Sequence, residues 1–340
     1  MKAVVFGLGP MGMRHISALK ELGYEISGLC DKSEEAVNKA GEELKLAPGL
    51  FFTDAGEMLE KTTPDLAVVS TNSDSHEHLT LLSAGKGVKY ILCEKPMASS
   101  VGACQRMMEE CASKGVRLAV NHPQRYMKRF RLLSQAVESE EFGGAENIVF
   151  ISANAGLAMM GSHFLEMSRI ILKESASSVS ALLKPSTCRN PRGEKFDDPC
   201  GTVVAETASG KRTVIVLGDR SGLGIRMAIT CRHGMIEGDL ISGSFTFNSR
   251  KPESRDLPPT RYGCPSDTRT EVLESESVVE SAKTMISGLV RGDREIERSA
   301  GDAMTIIKTL AAAYDSSEDN GKRKEVSDPG ERSPRTFPWP

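Results

Sequence analysis

The sequence holds one tryptophan, its aromatic residues amount to 5%, and none of its eight cysteines forms a C-x-x-C pair. The missing pair speaks against a zinc ribbon or a thioredoxin-type redox motif, and no metal site is expected. Cys30 and Cys93 end apolar runs, so the thiols read as buried and reduced rather than as a disulfide framework. No run reaches the roughly 18 apolar residues of a membrane-spanning helix. Met1 leads straight into a strand-like run, which leaves no place for a secretory leader. Charge of one sign is also missing: 43 Lys and Arg stand against 46 Asp and Glu, a net charge of −3. With both signs interspersed there is no basic footprint for nucleic acid or an anionic membrane. The expectation is a cytoplasmic protein whose partner is a small molecule.

A chain of 340 residues is long enough for two domains. Up to about Asn121, short apolar runs at 2–6, 25–30, 50–53, 66–70, 88–93 and 117–120 alternate with helical patterns near 11–22, 33–45, 55–60, 75–84 and 99–114. That alternation predicts a parallel, doubly wound sheet. Ser33, Asp54 and Ser99-Ser100 stand where its helices should be capped. After Pro123 the pattern changes to a helix near 128–139 and strands near 146–152, 177–184, 202–208, 212–218, 225–231, 234–239 and 244–248. Turn signals between consecutive strands predict a mostly antiparallel sheet. Polar loops are expected over 185–201 and 249–270, then helices over 272–291 and 299–314. The predicted fold is α/β: an N-terminal Rossmann domain over 1–121, a C-terminal α+β domain over 122–325, and a polar tail over 326–340. Trp339, in Phe337-Pro338-Trp339-Pro340, is an apolar tip that either docks on its own domain or a neighbouring subunit or frays with that tail, fraying being the more ordinary outcome.

Two motifs carry the chemistry. Gly7-Leu8-Gly9-Pro10-Met11-Gly12 follows the apolar run 3–6 and opens a helix, a G-x-G-x-x-G fingerprint. Gly7 allows the tight turn, Gly9 lets a pyrophosphate approach the backbone, and Gly12 lets helix and strand pack closely. Asp31, at the end of the next run, stands where an acid would accept from the ribose hydroxyls and repel a 2′-phosphate. This favours NAD over NADP, and the neighbouring Lys32 works against that preference. The second motif is Cys93-Glu94-Lys95-Pro96 at the end of the fifth run, which delivers an ammonium to the carboxyl edge of the sheet. Lysines and arginines in the two long loops (Arg189, Arg192, Lys195, Arg250, Lys251, Arg255, Arg261) read as solvated loop faces.

Together with Ser70-Thr71-Asn72, His76 and Gly161-Ser162-His163, these motifs make the chain resemble the glucose-fructose oxidoreductase/inositol dehydrogenase (Gfo/Idh/MocA) family over roughly residues 1–325. The resemblance implies an open-faced antiparallel sheet in the second domain, an active site between the domains, and a homodimer or homotetramer. It also implies which residues meet the ligands. The cofactor set is Gly7, Gly9, Pro10, Met11, Gly12, Asp31, Lys32, Ser70, Thr71, Asn72, His76, Glu94, Lys95 and Asn121, and the substrate set is Lys95, Arg125, Tyr126 and His163. Lys95 and His163 are the implied catalytic pair, and the Lys95-Pro96 bond is expected to be cis. His15 is expected to pack in the first helix layer, and His78 to be solvated.

One position departs from the family pattern. Met159 stands four residues before His163, where a carboxylate or amide is usual, and a thioether cannot orient an imidazole as an acid would. Glu166 or Lys95 is expected to compensate. The implied activity is hydride transfer between NAD and a secondary alcohol of a sugar, sugar nucleotide or cyclitol. Two alternatives are an NAD-dependent glycoside-cleaving enzyme working through transient oxidation, and a non-catalytic NAD-binding regulator.

Overall fold

The structure, a computed structural model, describes all residues except 154, 188, 189, 191, 220, 221, 223, 259–264, 327–334 and 340. It divides into two compact units.

The first unit comprises Met1–Pro123, Ser277–Ile307 and Pro329–Pro340. Its sheet contains β1 (Lys2–Phe6), β2 (Glu25–Cys30), β3 (Phe51–Phe52), β4 (Leu66–Val69), β5 (Tyr90–Glu94) and β6 (Arg117–Asn121) in the order β3-β2-β1-β4-β5-β6. All neighbouring pairs are parallel. The central strands β1 and β4 are buried from Ala3 to Phe6 and from Leu66 to Val69, because helices cover both faces of a parallel sheet and leave no solvated side to alternate toward. The helices α1 (Pro10–Glu21), α2 (Glu34–Leu44), α3 (Ala55–Thr62), α4 (His76–Gly85) and α5 (Val101–Ser113) connect the strands. The expected caps are in place: Ser33, Asp54 and Ser100 accept from the amides of Ala36, Glu57 and Ala103 at 3.3, 2.7 and 3.1 Å. Strand order reverses between β1 and β4, and ligands of such sheets bind at that switch point.

The helix Val278–Arg291 also belongs to this unit, whereas the sequence reading grouped it with the second domain. Its buried stripe of Ala282, Met285, Ile286 and Leu289 packs toward α1 and β6, and the Arg117 guanidinium donates to the Val290 carbonyl at 3.0 Å. An apolar stripe shows that a helix must be covered, but not by which sheet. Trp339 gives a second correction: it is fully buried in this unit rather than frayed.

The second unit comprises Gln124–Glu276 and Lys308–Asp328. After α6 (Lys128–Glu138) its strands are β7 (Ala145–Ala153), β8 (Ala176–Lys184), β9 (Cys200–Thr207), β10 (Arg212–Gly218), β11 (Ile225–Cys231), β12 (Gly234–Asp239), β13 (Ser244–Arg250), β14 (Ser266–Val272) and β15 (Lys324–Glu325), in the order β14-β13-β12-β11-β7-β10-β9-β8-β15. Among the described residues, only β7 and β10 pair in parallel, so the sheet is mixed and mostly antiparallel. Between β7 and β8 lies α7 (Ser162–Leu172), whose Phe164 stacks on Phe150 of β7 with ring centroids 4.6 Å apart. Ile151 and Leu182 are among the exposed large apolar residues of this sheet.

β14 falls at the end of the stretch expected to be loop. All seven of its residues are exposed, so it carries no apolar alternation to betray a strand. The helix expected from 272 therefore begins only at Val278, with the Ser277 hydroxyl accepting from the Glu280 amide at 3.2 Å. Among the described residues, no helix is long and apolar enough to cross a membrane.

Candidate functional site

Three glycines shape the loop between β1 and α1, each for a different reason. Gly7 has φ +88°, and a Cβ there would lie 2.7 Å from the Ser70 carbonyl oxygen. A Cβ on Gly12 would collide with the Gly7 carbonyl, whereas one on Gly9 would meet open space. Backbone is thus left bare at Gly9, beside the first amides of α1, where a phosphate would be held. The Ser70 hydroxyl fixes the turn by donating to the carbonyls of Phe6 and Gly7 at 2.8 and 3.0 Å. Asp31 closes it from β2, accepting from the amides of Leu8 and Ser33 at 2.9 and 3.0 Å. Pro10 occupies the first position of α1, where its missing N–H costs nothing, and Met11 follows it half-buried.

Beside this loop is a cavity of about 370 Å³ walled by Gly7, Gly9, Asp31, Lys32, Ser70, Thr71 and Asn72, with Thr53, Ser75 and His78 among the other lining residues. His78 is exposed, as expected, and also lines the wall. Burial, then the Asp31 charge, pushes the neighbouring Cys30 thiol up to about 12, so it stays protonated. Among the described residues, the cysteines form no disulfide.

The turn after β5 is built on buried polar groups. Glu94 Oε1 lies 2.7 Å from His15 Nε2 and accepts from the Asn121 side-chain amide at 2.7 Å, while Oε2 accepts from the Lys95 backbone N–H at 3.3 Å. Burial by itself would raise the Glu94 pKa. The hydrogen bond and charge of His15, the Asn121 amide and the Lys95 charge outweigh it and hold the carboxyl at about 2. Lys95 is half-buried at the end of this network, and its bond to Pro96 is cis, as expected.

His76 is completely buried. Its Nδ1 lies 3.0 Å from the Pro96 carbonyl oxygen and its Nε2 lies 3.0 Å from that of Thr71. Burial depresses its pKa in spite of those carbonyls, so the ring stays neutral near pH 7 and donates from one nitrogen at a time. His76, Glu94 and Asn121, expected to line the cofactor, are buried, and their hydrogen bonds fasten the two turns that carry Thr71 and Lys95. A strand-end polar residue looks the same in sequence whether it faces a ligand or supports the residue that does.

In the second unit, a π-helical turn over Leu157–Gly161 leads into α7. The Asp198 carboxylate caps it, accepting from the Ala158 and Met159 amides at 2.6 and 2.9 Å. Nothing in the sequence singled out Asp198, which lies in the long loop before β9 and reaches this turn only through the fold. Half-buried His163 stands one residue inside α7, with Nδ1 2.9 Å from the Gln124 side-chain oxygen. Since that oxygen can only accept, Nδ1 carries the hydrogen, and in the neutral ring the lone pair is then on Nε2.

Glu166, expected to compensate for Met159, contacts arginines. It is fully buried and committed to two guanidinium groups, at 2.6 Å from Arg125 Nη2 and 3.0 Å from Arg169 Nε. Arg125, expected to grip substrate, is thereby only 4% exposed. Tyr126, beside it, is half-buried. Of the loop cations, Arg189 and Arg261 lie outside the described residues.

A doubly wound parallel sheet with a glycine phosphate loop, an acid at the end of β2 and a cavity at the switch point defines a dinucleotide-binding domain. Residues 1–122 match the model of an oxidoreductase family with an NAD-binding Rossmann fold. Over that stretch, and not beyond it, the chain matches the Gfo/Idh/MocA family.

Among the curated relatives, the myo-inositol 2-dehydrogenase of Thermotoga maritima is 26% identical over 195 residues, covering 53% of this chain and 58% of that protein. The inositol 2-dehydrogenase of Salmonella typhimurium is 22% identical over 261 residues, covering 70% of this chain and 73% of its own. Among solved structures, an oxidoreductase from Agrobacterium radiobacter, in complex with NAD+, L-tartaric acid and magnesium, superposes with a TM-score of 0.78 at 18% identity. That match covers 96% of this chain and 98% of that one. The aldose-aldose oxidoreductase of Caulobacter crescentus gives 0.76 at 18% identity, covering 96% and 99%. These structural likenesses extend the shared fold to the second unit.

Proposed function

We propose that this protein is an NAD-dependent dehydrogenase acting on a secondary alcohol of a cyclitol or sugar. The observation that carries the proposal is the cavity in which bare backbone at Gly9 and the Asp31 carboxylate share one wall. The residues fit the dinucleotide: the α1 amides and Gly9 would hold the pyrophosphate, and Asp31 would accept from the ribose and disfavour a 2′-phosphate. Ser70, Thr71 and Asn72 would line its path. Bound there, NAD supplies a hydride acceptor.

The chain's own residues supply binding and proton handling. Lys95, held by the network around Glu94, would donate a hydrogen bond to the reacting hydroxyl and lower the cost of removing its proton. His163 would take that proton at Nε2, the nitrogen left basic by the Nδ1 contact with Gln124. The names of the inositol dehydrogenase relatives support a cyclitol first and other sugars second.

The test is a panel of inositols, free sugars and sugar nucleotides with NAD+, read as NADH absorbance, alongside calorimetric titration of NAD and NADP. NADH formation on an inositol or sugar and tighter binding of NAD than NADP are expected, and Asp31→Ala should narrow that gap by about tenfold. Tight NAD binding without turnover anywhere on the panel would favour a non-catalytic regulator. Equal or tighter NADP binding by the unaltered protein would overturn the cofactor assignment.

A further inference from the structure

The sole tryptophan of the sequence lies far along the chain from the nucleotide loop, yet it is fully buried in the first unit. Its indole Nε1 donates to the Ala98 carbonyl at 3.1 Å, and its own carbonyl accepts from the Ser73 hydroxyl at 3.0 Å. Two residues earlier, the Phe337 amide donates to the Ser99 carbonyl at 2.8 Å. The Phe337 and Trp339 rings stack with centroids 4.3 Å apart and planes within 8° of parallel, and the Arg335 guanidinium lies 4.9 Å from the Phe337 ring centroid.

The partners of this segment are informative. Ser73 directly follows Thr71 and Asn72, which line the cavity, and Ala98 and Ser99 continue the turn begun by Lys95 and Pro96. The segment therefore bridges the same two turns that His76 lies between, its Nε2 3.0 Å from the Thr71 carbonyl oxygen and its Nδ1 3.0 Å from that of Pro96. One tie is an internal histidine, and the other is the segment 335–339.

We propose that Phe337 and Trp339 position the nucleotide site: by tying Ser73 to Ala98 and Ser99, they hold the Thr71–Asn72 rim and the Lys95 turn in one arrangement, so that docking of the segment and dinucleotide binding favour each other. The inference rests on the reading that this cavity takes NAD. Its physical basis is a near balance. Burying two aromatic side chains is favourable, but ordering the backbone that carries them costs free energy of similar size. A ligand that prefers the tied arrangement can shift such an equilibrium, and by reciprocity the docked segment tightens the ligand by the same factor.

Calorimetric titration of NAD into the full chain is the test. Trp339→Ala should weaken NAD binding roughly 5- to 100-fold. Trp339→Phe, which keeps a ring but loses the indole donor, should recover part of that loss. A Ser73→Ala protein, which loses only the hydroxyl bond to the Trp339 carbonyl, supplies the reciprocal readout and a milder alternative should Trp339→Ala fold poorly. In it, acrylamide should quench Trp339 more strongly than in the unaltered protein, and NAD should restore the shielding. Unchanged NAD affinity in Trp339→Ala, or Ser73→Ala quenching that NAD leaves unaltered, would overturn the proposal. Failure of the unaltered protein to bind NAD at all would instead remove the nucleotide reading on which it rests.

Discussion

The turn that carries Lys95 and the turn that carries His163 are both supported by a buried glutamate, and the two glutamates do different work. Glu94 spends its oxygens on His15, Asn121 and the Lys95 backbone amide, so its charge is fixed at the residue that precedes the lysine. Glu166, three residues after His163, turns to Arg125 and Arg169, while the imidazole takes the Gln124 amide instead. Sequence adjacency predicts function at the end of a parallel strand, because the strand delivers successive residues to a known edge. On a helix, a residue three positions away shares a face only approximately, and a long arginine can claim it first.

The largest expected effect tests the second turn. Glu166→Ala would leave two guanidinium groups facing each other without their carboxylate, and breaking a buried pair in this way costs about 3–5 kcal/mol. Denaturant unfolding should show that loss, whereas an unchanged midpoint would mean Glu166 has no structural role and restore it as a candidate partner of His163. Lys95→Ala tests the first turn: kcat should fall by about 10² or more while calorimetric NAD affinity holds. Unchanged turnover would end the assignment of Lys95 to the reacting oxygen.

A smaller effect separates orientation from mere packing at His163. Gln124→Leu removes the acceptor that selects the tautomer and should lower kcat about tenfold. Gln124→Glu places a negative charge beside the ring, favours the imidazolium, and should move the acidic limb of the pH–rate profile to higher pH. A profile that stays put in both variants would make the contact incidental.

The smallest effect is confined to low pH. The Glu94 carboxyl, held at about 2, contributes stability above its ordinary value near 4.5, and that contribution is lost as pH falls from there toward 2. Glu94→Gln should therefore flatten the pH dependence of unfolding in this window and leave its shape near neutrality unaltered. Parallel pH profiles for the two proteins would show that the network does not perturb the carboxyl.

Much of the first unit was legible in the sequence because a parallel sheet imposes a strong local code. Its strands are apolar on both faces, its helices begin at Ser33, Asp54 and Ser100, and its phosphate loop needs glycine at fixed spacings for steric reasons that Gly7 and Gly12 display. The β14 edge strand was illegible because every one of its residues faces solvent. In the sequence His76 fits a ligand residue and a support of the turn equally well, because a buried staple and a ligand contact draw on the same polar atoms.

What the sequence alone determined, then, is whatever depends on neighbours along the chain: the periodicity of strands and helices, the caps, the glycine turn and the delivery of Lys95 to a strand end. Only the tertiary structure decided which distant groups satisfy the buried polar atoms. It brought His15 and Asn121 to Glu94, Gln124 to His163, Asp198 to the amides of Ala158 and Met159, and Trp339 to Ser73 and Ala98. The reason is that a buried donor or acceptor must be paired at a cost set by desolvation, and the partner that meets it is chosen by packing in space, without regard to separation along the chain.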